Sequence, residues 1–524
     1  MKLNYKRTIL VGFAFFLICA FWQAYDNTVP LILTNKFGMS QTWSGVIMAM
    51  DNVLALFLLP LFGHISDKCT HPRGRRTPFI VVGTLIAAVA LIALSFADNA
   101  QLKRLDKVSA IDDPAALTVI YNEQKDATLL SPSGESFILG HKFTEAEFTA
   151  IRSQTVTPEG KTVTDPAYTN YVVPARQACA RDTAAANPGA LVVFVALLFI
   201  ILLSMATFRS PAVALMPDVT PKPLRSKANA VINLMGSAGG IIVLALGMVF
   251  ATASVSNSMM SYTGYFGVIA ALMLAALVVF MLTVREPEWA REMQAQSVAA
   301  GVENAEEADH PNEGRKLSAD EVKSLLLILL SIVLWFFGYN AVTSKYSVYA
   351  SNILHKDYNL TLIIAQAAAI AAYLPVGFIA GRIGRKKTIL AGVVMLTVAF
   401  GVAGFLTADS PSALMNAMFA LAGIAWATIN VNSFPMVVEL ASGGDVGKYT
   451  GFYYTASMAA QVATPMVSGL LMDKFGMHVL FPYAAAFTGL AFVTMLFVKH
   501  GDNRDIPAEK AGDTDMTVEE LTND

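Results

Sequence analysis

The sequence predicts an all-α membrane protein. It would have twelve transmembrane helices in two pseudo-symmetric six-helix bundles, with a small extracytoplasmic insert between helices 3 and 4. Three observations predict this. Of the 524 residues, 55% are hydrophobic and 15% charged, against about 45–50% and about 25% in a soluble domain. Apolar stretches long enough to cross a bilayer recur twelve times along the chain. The second half of the chain also echoes the first.

A crossing helix needs about 20 mostly apolar residues. The predicted spans are 8–33, 42–64, 78–97, 190–217, 226–252, 263–284, 322–350, 361–382, 387–407, 412–438, 448–472 and 478–499. The first is too long for a removed signal peptide and lacks a small-residue cleavage site. Pro30, Pro60, Pro211, Pro375, Pro435 and Pro465 fall inside spans, where neighbouring helices re-satisfy the freed backbone groups. Ser318 with Glu321 three residues on reads as a capping box that starts span 7. Lys and Arg concentrate on one set of short loops: Lys2, Lys6 and Arg7; Lys68, Arg73, Arg75 and Arg76; Lys222, Arg225 and Lys227; Arg382, Arg385, Lys386 and Lys387. The opposite short loops hold little beyond Lys36, Lys356 and Lys474. By the positive-inside rule both termini are cytoplasmic.

The chain therefore divides into a first bundle over 1–284, a cytoplasmic linker over 285–321, a second bundle over 322–499 and an acidic tail over 500–524. Residues 98–189 form the insert on the outer side. Ser131–Gly134 reads as a turn between short strands, and Thr144 with Glu147 as a capping box opening a helix. The net charge of −2 offers nothing to nucleic acid. Cys19, Cys69 and Cys179 make no disulfide framework, and the seven His have no metal-ligand spacing. There is no P-loop, no Ser/His/Asp grouping and no HExxH, so neither an enzyme nor a cofactor is expected.

The internal echo is specific. Gly63-His-Ile-Ser-Asp67-Lys68 followed by Arg73-Gly-Arg75-Arg76 closes span 2, and Gly377-Phe-Ile-Ala-Gly381-Arg382-Ile-Gly-Arg385-Lys386 closes span 8. Asp218 lies nine residues before Lys227, as Glu439 does before Lys448. Two six-helix halves on a polar linker are the build of transporters that rock about a midplane site. The Gly-x-x-x-Asp-Lys…Gly-Arg-Arg loop resembles the signature loop of the major facilitator superfamily. The stretch SDKCTHPRGRRTPFI is similar to the branch that holds sucrose/proton symporters and their bacterial relatives, close to the glycoside–pentoside–hexuronide–cation symporters. FRSPAVALMPDVTPKPLRSKANA and GIAWATINVNSFPMVVELASGGDVGKYTGFYYT resemble the span 4–5 and span 10–11 segments of the bacterial members. The chain departs from the plant carriers in span 4, where Val213 stands for an Arg and Leu202 for an acid. Neither the plant proton route nor sucrose itself is therefore carried over.

A charge at the centre of a spanning helix costs about 2.5–3.5 kcal/mol or more to insert. Asp26, Asp51, Arg209 and Lys345 are the four such residues, two acids and two bases. They either pair as buried salt bridges or carry ion coupling, with Asp51 the first candidate and Asp26, paired with Lys345, the second. Polar and aromatic residues cluster on spans 1, 7 and 10: Trp22, Gln23, Tyr25 and Asn27; Trp335, Tyr339, Asn340 and Tyr346; Trp426, Asn430 and Asn432. The resemblance implies that spans 1, 4, 7 and 10 line the cavity, and Asn, Gln, Tyr and Trp suit sugar hydroxyls and a sugar's apolar face. Gln366, Tyr373, Tyr453, Tyr454 and Gln461 are weaker candidates. The resemblance further implies that Asp67, Arg73, Arg75, Arg76 and Arg385 latch the cytoplasmic ends of the two halves, with Asp218 and Glu439 as acidic partners. Gly236–Gly240 is a small-residue packing face expected within the bundle.

The expected function is proton-coupled symport of a sugar or glycoside, such as a sucrose- or maltose-like disaccharide, by a monomer in the bacterial inner membrane. Its partners would be the sugar, a proton or sodium ion, and the lipid bilayer. The alternatives are a sodium-coupled, facilitative or efflux carrier, and a membrane sensor that uses the insert.

Overall fold

The computed structural model describes residues 3–156, 162–221, 224–299, 317–438, 440 and 446–501. Helices α1 (Tyr5–Asn35), α2 (Gln41–Asp67) and α3 (Thr77–Arg104) precede the insert. The insert holds α4 (Asp106–Ser109), α5 (Pro114–Gln124), α6 (Leu139–Lys142), α7 (Glu145–Ala150) and α8 (Val173–Ala186). It also holds two antiparallel hairpins, β1 (Thr128–Leu130) with β2 (Ser136–Ile138) and β3 (Gln154–Val156) with β4 (Thr162–Thr164). Helices α9 (Gly189–Val219), α10 (Arg225–Val249) and α11 (Thr263–Thr283) complete the first half. After α12 (Glu286–Ala299) in the linker come α13 (Ala319–Tyr349), α14 (Tyr358–Ile383), α15 (Arg385–Ala403), α16 (Ser412–Val438), α17 (Val446–Phe475) and α18 (Leu480–Leu496).

Among the described residues, a long helix falls at each of the stretches read from the sequence. Among the described residues, ten are long and apolar enough to cross a membrane. The other two are α14, whose apolar stretch is described over Tyr358–Tyr373, and α17. Ser457, Thr464 and Ser468 dilute the apolar character of α17, yet Thr464 and Ser468 each donate to the carbonyl four residues back. A polar helix can be buried when its hydroxyls are satisfied in this way.

Each half has its own apolar core. Phe21, Leu198, Phe208 and Met273 lie in the first, and Ile328, Trp335, Leu396 and Phe481 in the second. Small residues set the close crossings. A Cβ on Gly239 of α10 would sit 2.7 Å from the Phe16 carbonyl oxygen of α1, and one on Gly236 would sit 2.8 Å from Cys19 Sγ. The Gly236–Gly240 face is therefore used inside the bundle. The two halves meet where α2 crosses α17, α10 crosses α14 and α1 crosses α13. At the α2–α17 crossing a Cβ on Gly45 would lie 2.1 Å from the Pro465 carbonyl oxygen. Any larger residue there would force the halves apart.

The insert folds around Leu117, Ile120, Phe148, Tyr168 and Cys179, and Val255 and Met259 from the α10–α11 loop join that core. Buried Arg176 binds it internally, donating to Tyr168 Oη at 2.5 Å and to the carbonyls of Ala110 and Ile111. Both capping boxes form, at Thr144 with Glu147 and at Ser318 with Glu321. The Ser131–Gly134 turn joins β1 to β2, with Gly134 at φ +93°. Burial pushes the Cys179 thiol up to about 12, which leaves it unreactive.

Two features differ from expectation. Helix α3 runs to Arg104, past the predicted end at 97, because polar groups of its extension find buried partners. The ammonium of Lys36 is buried against the Asp98 carboxylate at 2.7 Å and donates to the Met260 carbonyl, while Gln101 donates to the Lys36 carbonyl. Lys36, expected as an ordinary loop charge, is one half of a buried ion pair. The linker also begins with a helix, and its buried Glu286 accepts from the N–H groups of Arg76 and Thr77 and from Thr77 Oγ1. It thereby supplies the N-terminal cap of α3. Removing one member of a buried pair strands the other, at about 3–5 kcal/mol. Asp98→Ala should accordingly lower the thermal unfolding midpoint in detergent, and the double variant Lys36→Met/Asp98→Leu should recover most of the loss.

Candidate functional site

Two adjoining chambers lie between the halves. The first, of about 200 Å³, is polar. Trp22 and Asp26 enter it from α1, Asp51 and Asn52 from α2, Arg209 from α9, Asn340, Thr343 and Ser344 from α13, and Gln461 from α17. The spacings explain the placement: residues three and four apart share one helix face. Asp51 accepts a hydrogen bond from Asn52 Nδ2 at 2.8 Å. The Arg209 guanidinium lies over the Trp22 ring, 5.6 Å from its centroid. Among the described residues, no ion pair within 4 Å joins Asp26, Asp51 or Arg209 to any partner. Trp22 Nε1 and Asn340 Nδ2 are buried donors with no acceptor among the described residues.

The second chamber, of about 300 Å³, is more aromatic. Tyr339 and Trp426 stack face to face, with ring centroids 3.6 Å apart and parallel planes. Gln23 and Asn27 face it from α1, and Gln366 of α14 donates to Gln23 across the two halves. Asp26 and Thr343 line both chambers and form their common wall.

Several expected site residues lie elsewhere. Tyr25 is buried beside Phe21 and lines neither chamber. Tyr346 shares a face with Tyr339 but sits two turns, about 10 Å, further along α13. There its ring packs 4.2 Å from that of Phe419, inside the core of the second half. Asn432 is buried and donates to the Thr428 carbonyl, four residues back, and half-buried Asn430 lines neither chamber. Lys345 does not pair with Asp26. Its buried Nζ donates to the Gln41 carbonyl at 2.7 Å, on the residue whose N–H donates to Asp473. Thr343, Ser344 and Asn52 were absent from the expected set. The first two follow Asn340 by three and four positions, which is the signal that would have found them.

The signature loop is tied within the first half. Asp218 accepts from Arg75 Nη2 at 2.6 Å and from Arg76 Nε at 2.8 Å, and Arg76 Nη2 donates to Asp67 at 2.5 Å. The Asp218 carboxylate raises Arg75 above its usual range. Arg73 is exposed, and half-buried Arg385 opens α15. Glu439 lies outside the described residues.

Comparison with known proteins gives the class. The model of the Major Facilitator Superfamily matches residues 183–369 and 328–519, and that of MFS/sugar transport protein matches 11–102. The chain belongs to the major facilitator superfamily and is an integral, multi-pass membrane protein. Over 62 residues it is 37% identical to the sucrose transport protein SUC4 of Arabidopsis thaliana, a match that covers 12% of each chain. Over 67 residues it is 39% identical to SUC3 of the same plant, covering 13% of this chain and 11% of that one. The chain thus spans about an eighth of the length of these curated relatives. Among solved structures, the inward-open xylose transporter XylE from E. coli superposes with a TM-score of 0.60 at 14% identity, covering 96% of this chain and 98% of that one. A D-xylose-proton symporter gives 0.57 at 15%, covering 95% and 99%. At such identities the likeness is one of fold. These relatives and neighbours are transporters.

The two environments are separable by labelling. Ser344→Cys, in the polar chamber, should react with a water-soluble maleimide at least about tenfold faster than Asn432→Cys, whose reaction would need local opening of the second half.

Proposed function

We propose that this protein is a secondary active transporter that takes up a sugar or glycoside, such as a sucrose- or maltose-like disaccharide, together with protons by alternating access. The corresponding topology has twelve spans, both termini in the cytoplasm and residues 98–189 on the outer face of a bacterial inner membrane. The observation that carries this reading is the shared wall: Asp26 belongs at once to a chamber of unpaired charge and to a chamber of stacked aromatics. Tyr339 and Trp426 offer a flat apolar surface for a sugar ring. Gln23, Asn27 and Gln366 offer hydroxyl partners beside it, as do Asn340 Nδ2 and Trp22 Nε1 next door.

The coupling follows from charge. Two carboxylates and one guanidinium leave the polar chamber with an uncompensated negative charge, which a proton on Asp51 or Asp26 would neutralise. Arg209 is held against Trp22 by cation–π attraction, worth from about 0.5–1 kcal/mol when exposed to about 2 kcal/mol when desolvated. When Arg209 leaves the ring for a carboxylate, it competes with the proton for that site. Sugar bound against the Asp26 wall and a proton on the same wall then favour the same state, which is the requirement for symport. The short matches to the sucrose transport proteins and the sugar-transport family model over 11–102 support a sugar as the solute. The charge-tied signature loop, with Asp218 accepting from Arg75 and Arg76, is available to latch the cytoplasmic ends when they close.

Counterflow in proteoliposomes, with a panel of mono- and disaccharides and with or without an imposed pH gradient, tests the reading. One sugar should exchange, and acidification of the outer face should drive its accumulation. Asp51→Asn should keep exchange and lose most gradient-driven accumulation, while Tyr339→Leu should weaken exchange itself. Trp22→Leu frees Arg209 for the carboxylates, so driven uptake should need an outer face more acidic by up to about one pH unit. Exchange of no sugar would remove the substrate claim. Accumulation that follows a sodium gradient instead would transfer the coupling to that ion.

A further inference from the structure

One short segment of the second half, Asp473–Met477, holds the first half in two ways at the end of the molecule that bears the insert. Asp473 in the last turn of α17 accepts from the backbone N–H groups of Gln41 at 2.9 Å and Thr42 at 2.8 Å, and from Thr42 Oγ1 at 2.5 Å. Gln41 and Thr42 are the first two residues of α2. A carboxylate from one half therefore caps the free N–H groups of a helix in the other, where the helix dipole also favours negative charge. Lys345 of α13 adds a contact to the Gln41 carbonyl. Gly45 and Gly469 allow this approach, since a Cβ on Gly469 would lie 2.4 Å from the Gln41 carbonyl oxygen.

Four residues after Asp473, the N–H of Met477 donates to the Pro132 carbonyl at 2.8 Å, in the turn between β1 and β2 of the insert. Gly134 and Gly476 stand back to back at φ +93° and +85°, and a Cβ on Gly476 would lie 2.7 Å from Gly134 Cα. The insert reaches the second half again where Thr169 Oγ1 meets His355 Nε2 at 3.4 Å. Its base is bedded on the first half, where Gln177 donates to Asn35 Oδ1 at 2.9 Å and Val255 and Met259 join its core. The insert is thus built to move with the first half while its turn grips the second.

We propose that the insert is a strap across the gate at its own end of the molecule: the Ser131–Gly134 turn holds Met477 and so keeps the Asp473 carboxylate seated on the start of α2, stabilising the state closed at that end. This rests on alternating access in the reading above, and not on its substrate or its ion. Opening the gate requires Asp473 to leave, which exposes the N–H groups of Gln41 and Thr42, and requires the turn to release Met477. Both events happen within four residues of each other, so loosening either loosens both.

The test uses the full-length protein in proteoliposomes, with Cys19, Cys69 and Cys179 replaced and Ser344→Cys as a reporter in the polar chamber. The readout is its labelling by a membrane-impermeant maleimide from each face. Asp473→Asn should raise labelling from the insert-bearing face about tenfold, the effect of losing one charge-assisted contact present only in the closed state. Gly134→Val, whose Cβ would press on the Phe475 carbonyl oxygen at 2.9 Å, should act in the same direction. The pair Ser133→Cys/Met477→Cys, oxidised to a disulfide before labelling, should reduce labelling from that face to background, and prior reduction should restore it. This arm stands even if Asp473→Asn does not fold. Labelling unchanged by a fully formed disulfide, with the reporter reached from both faces, would overturn the strap and leave the transport reading intact. A reporter reached from one face only in every variant would overturn the rocking motion itself.

Discussion

Hydrocarbon offers no partner to an ionised side chain, so each charge carried into the membrane region must be paired, given to backbone or kept in a wet chamber. The structure uses all three solutions, and each has a different consequence. Lys36 and Asp98 pair with both side chains fully buried, which fixes α1 against α3 and extends α3 beyond the apolar stretch. Lys345 and Asp473 are given to the backbone of α2, which puts two charges of the second half onto the first helical turn of a first-half helix. Asp26, Asp51 and Arg209 are kept in the polar chamber. Among the described residues, this last set makes no ion pair within 4 Å.

The same constraint explains the arrangement of the halves. Helices α2 and α17 approach closely enough for Asp473 to reach α2 only because Gly45 and Gly469 carry no side chain at the crossing. That contact, the α10–α14 contact and the insert all lie at one end of the molecule. There the Tyr358 and Thr252 hydroxyls meet at 2.8 Å, and Ser351 donates to the Ala253 carbonyl. The chambers lie between the halves and are lined by residues from both.

Much of the fold was legible along the chain because membrane helices announce themselves by composition. The polar flanks of α3 and α17 were not, since a Lys, Asp or Gln just past an apolar stretch reads as loop charge until its partner is known. The site was legible by helix and only in part by residue. Trp22, Gln23, Asp26, Asn27, Asp51, Arg209, Tyr339, Asn340 and Trp426 line the chambers. Tyr25, Tyr346, Asn430 and Asn432 lie on the right helices but do not. Helical periodicity gives a face, and two turns along that face lead from a chamber into a packed core. Tyr346 against Phe419 is the clear instance.

What the sequence by itself determined is the class of molecule: apolar length and loop charge follow from the cost of burying polar backbone and ions in lipid, and that cost is local to each stretch of chain. Which charges meet was decided by tertiary structure alone. Asp473 and Gln41 are hundreds of residues apart, as are Gln23 and Gln366. No local preference of the chain records that α17 ends where α2 begins, or that a turn of the insert meets the residues just after α17.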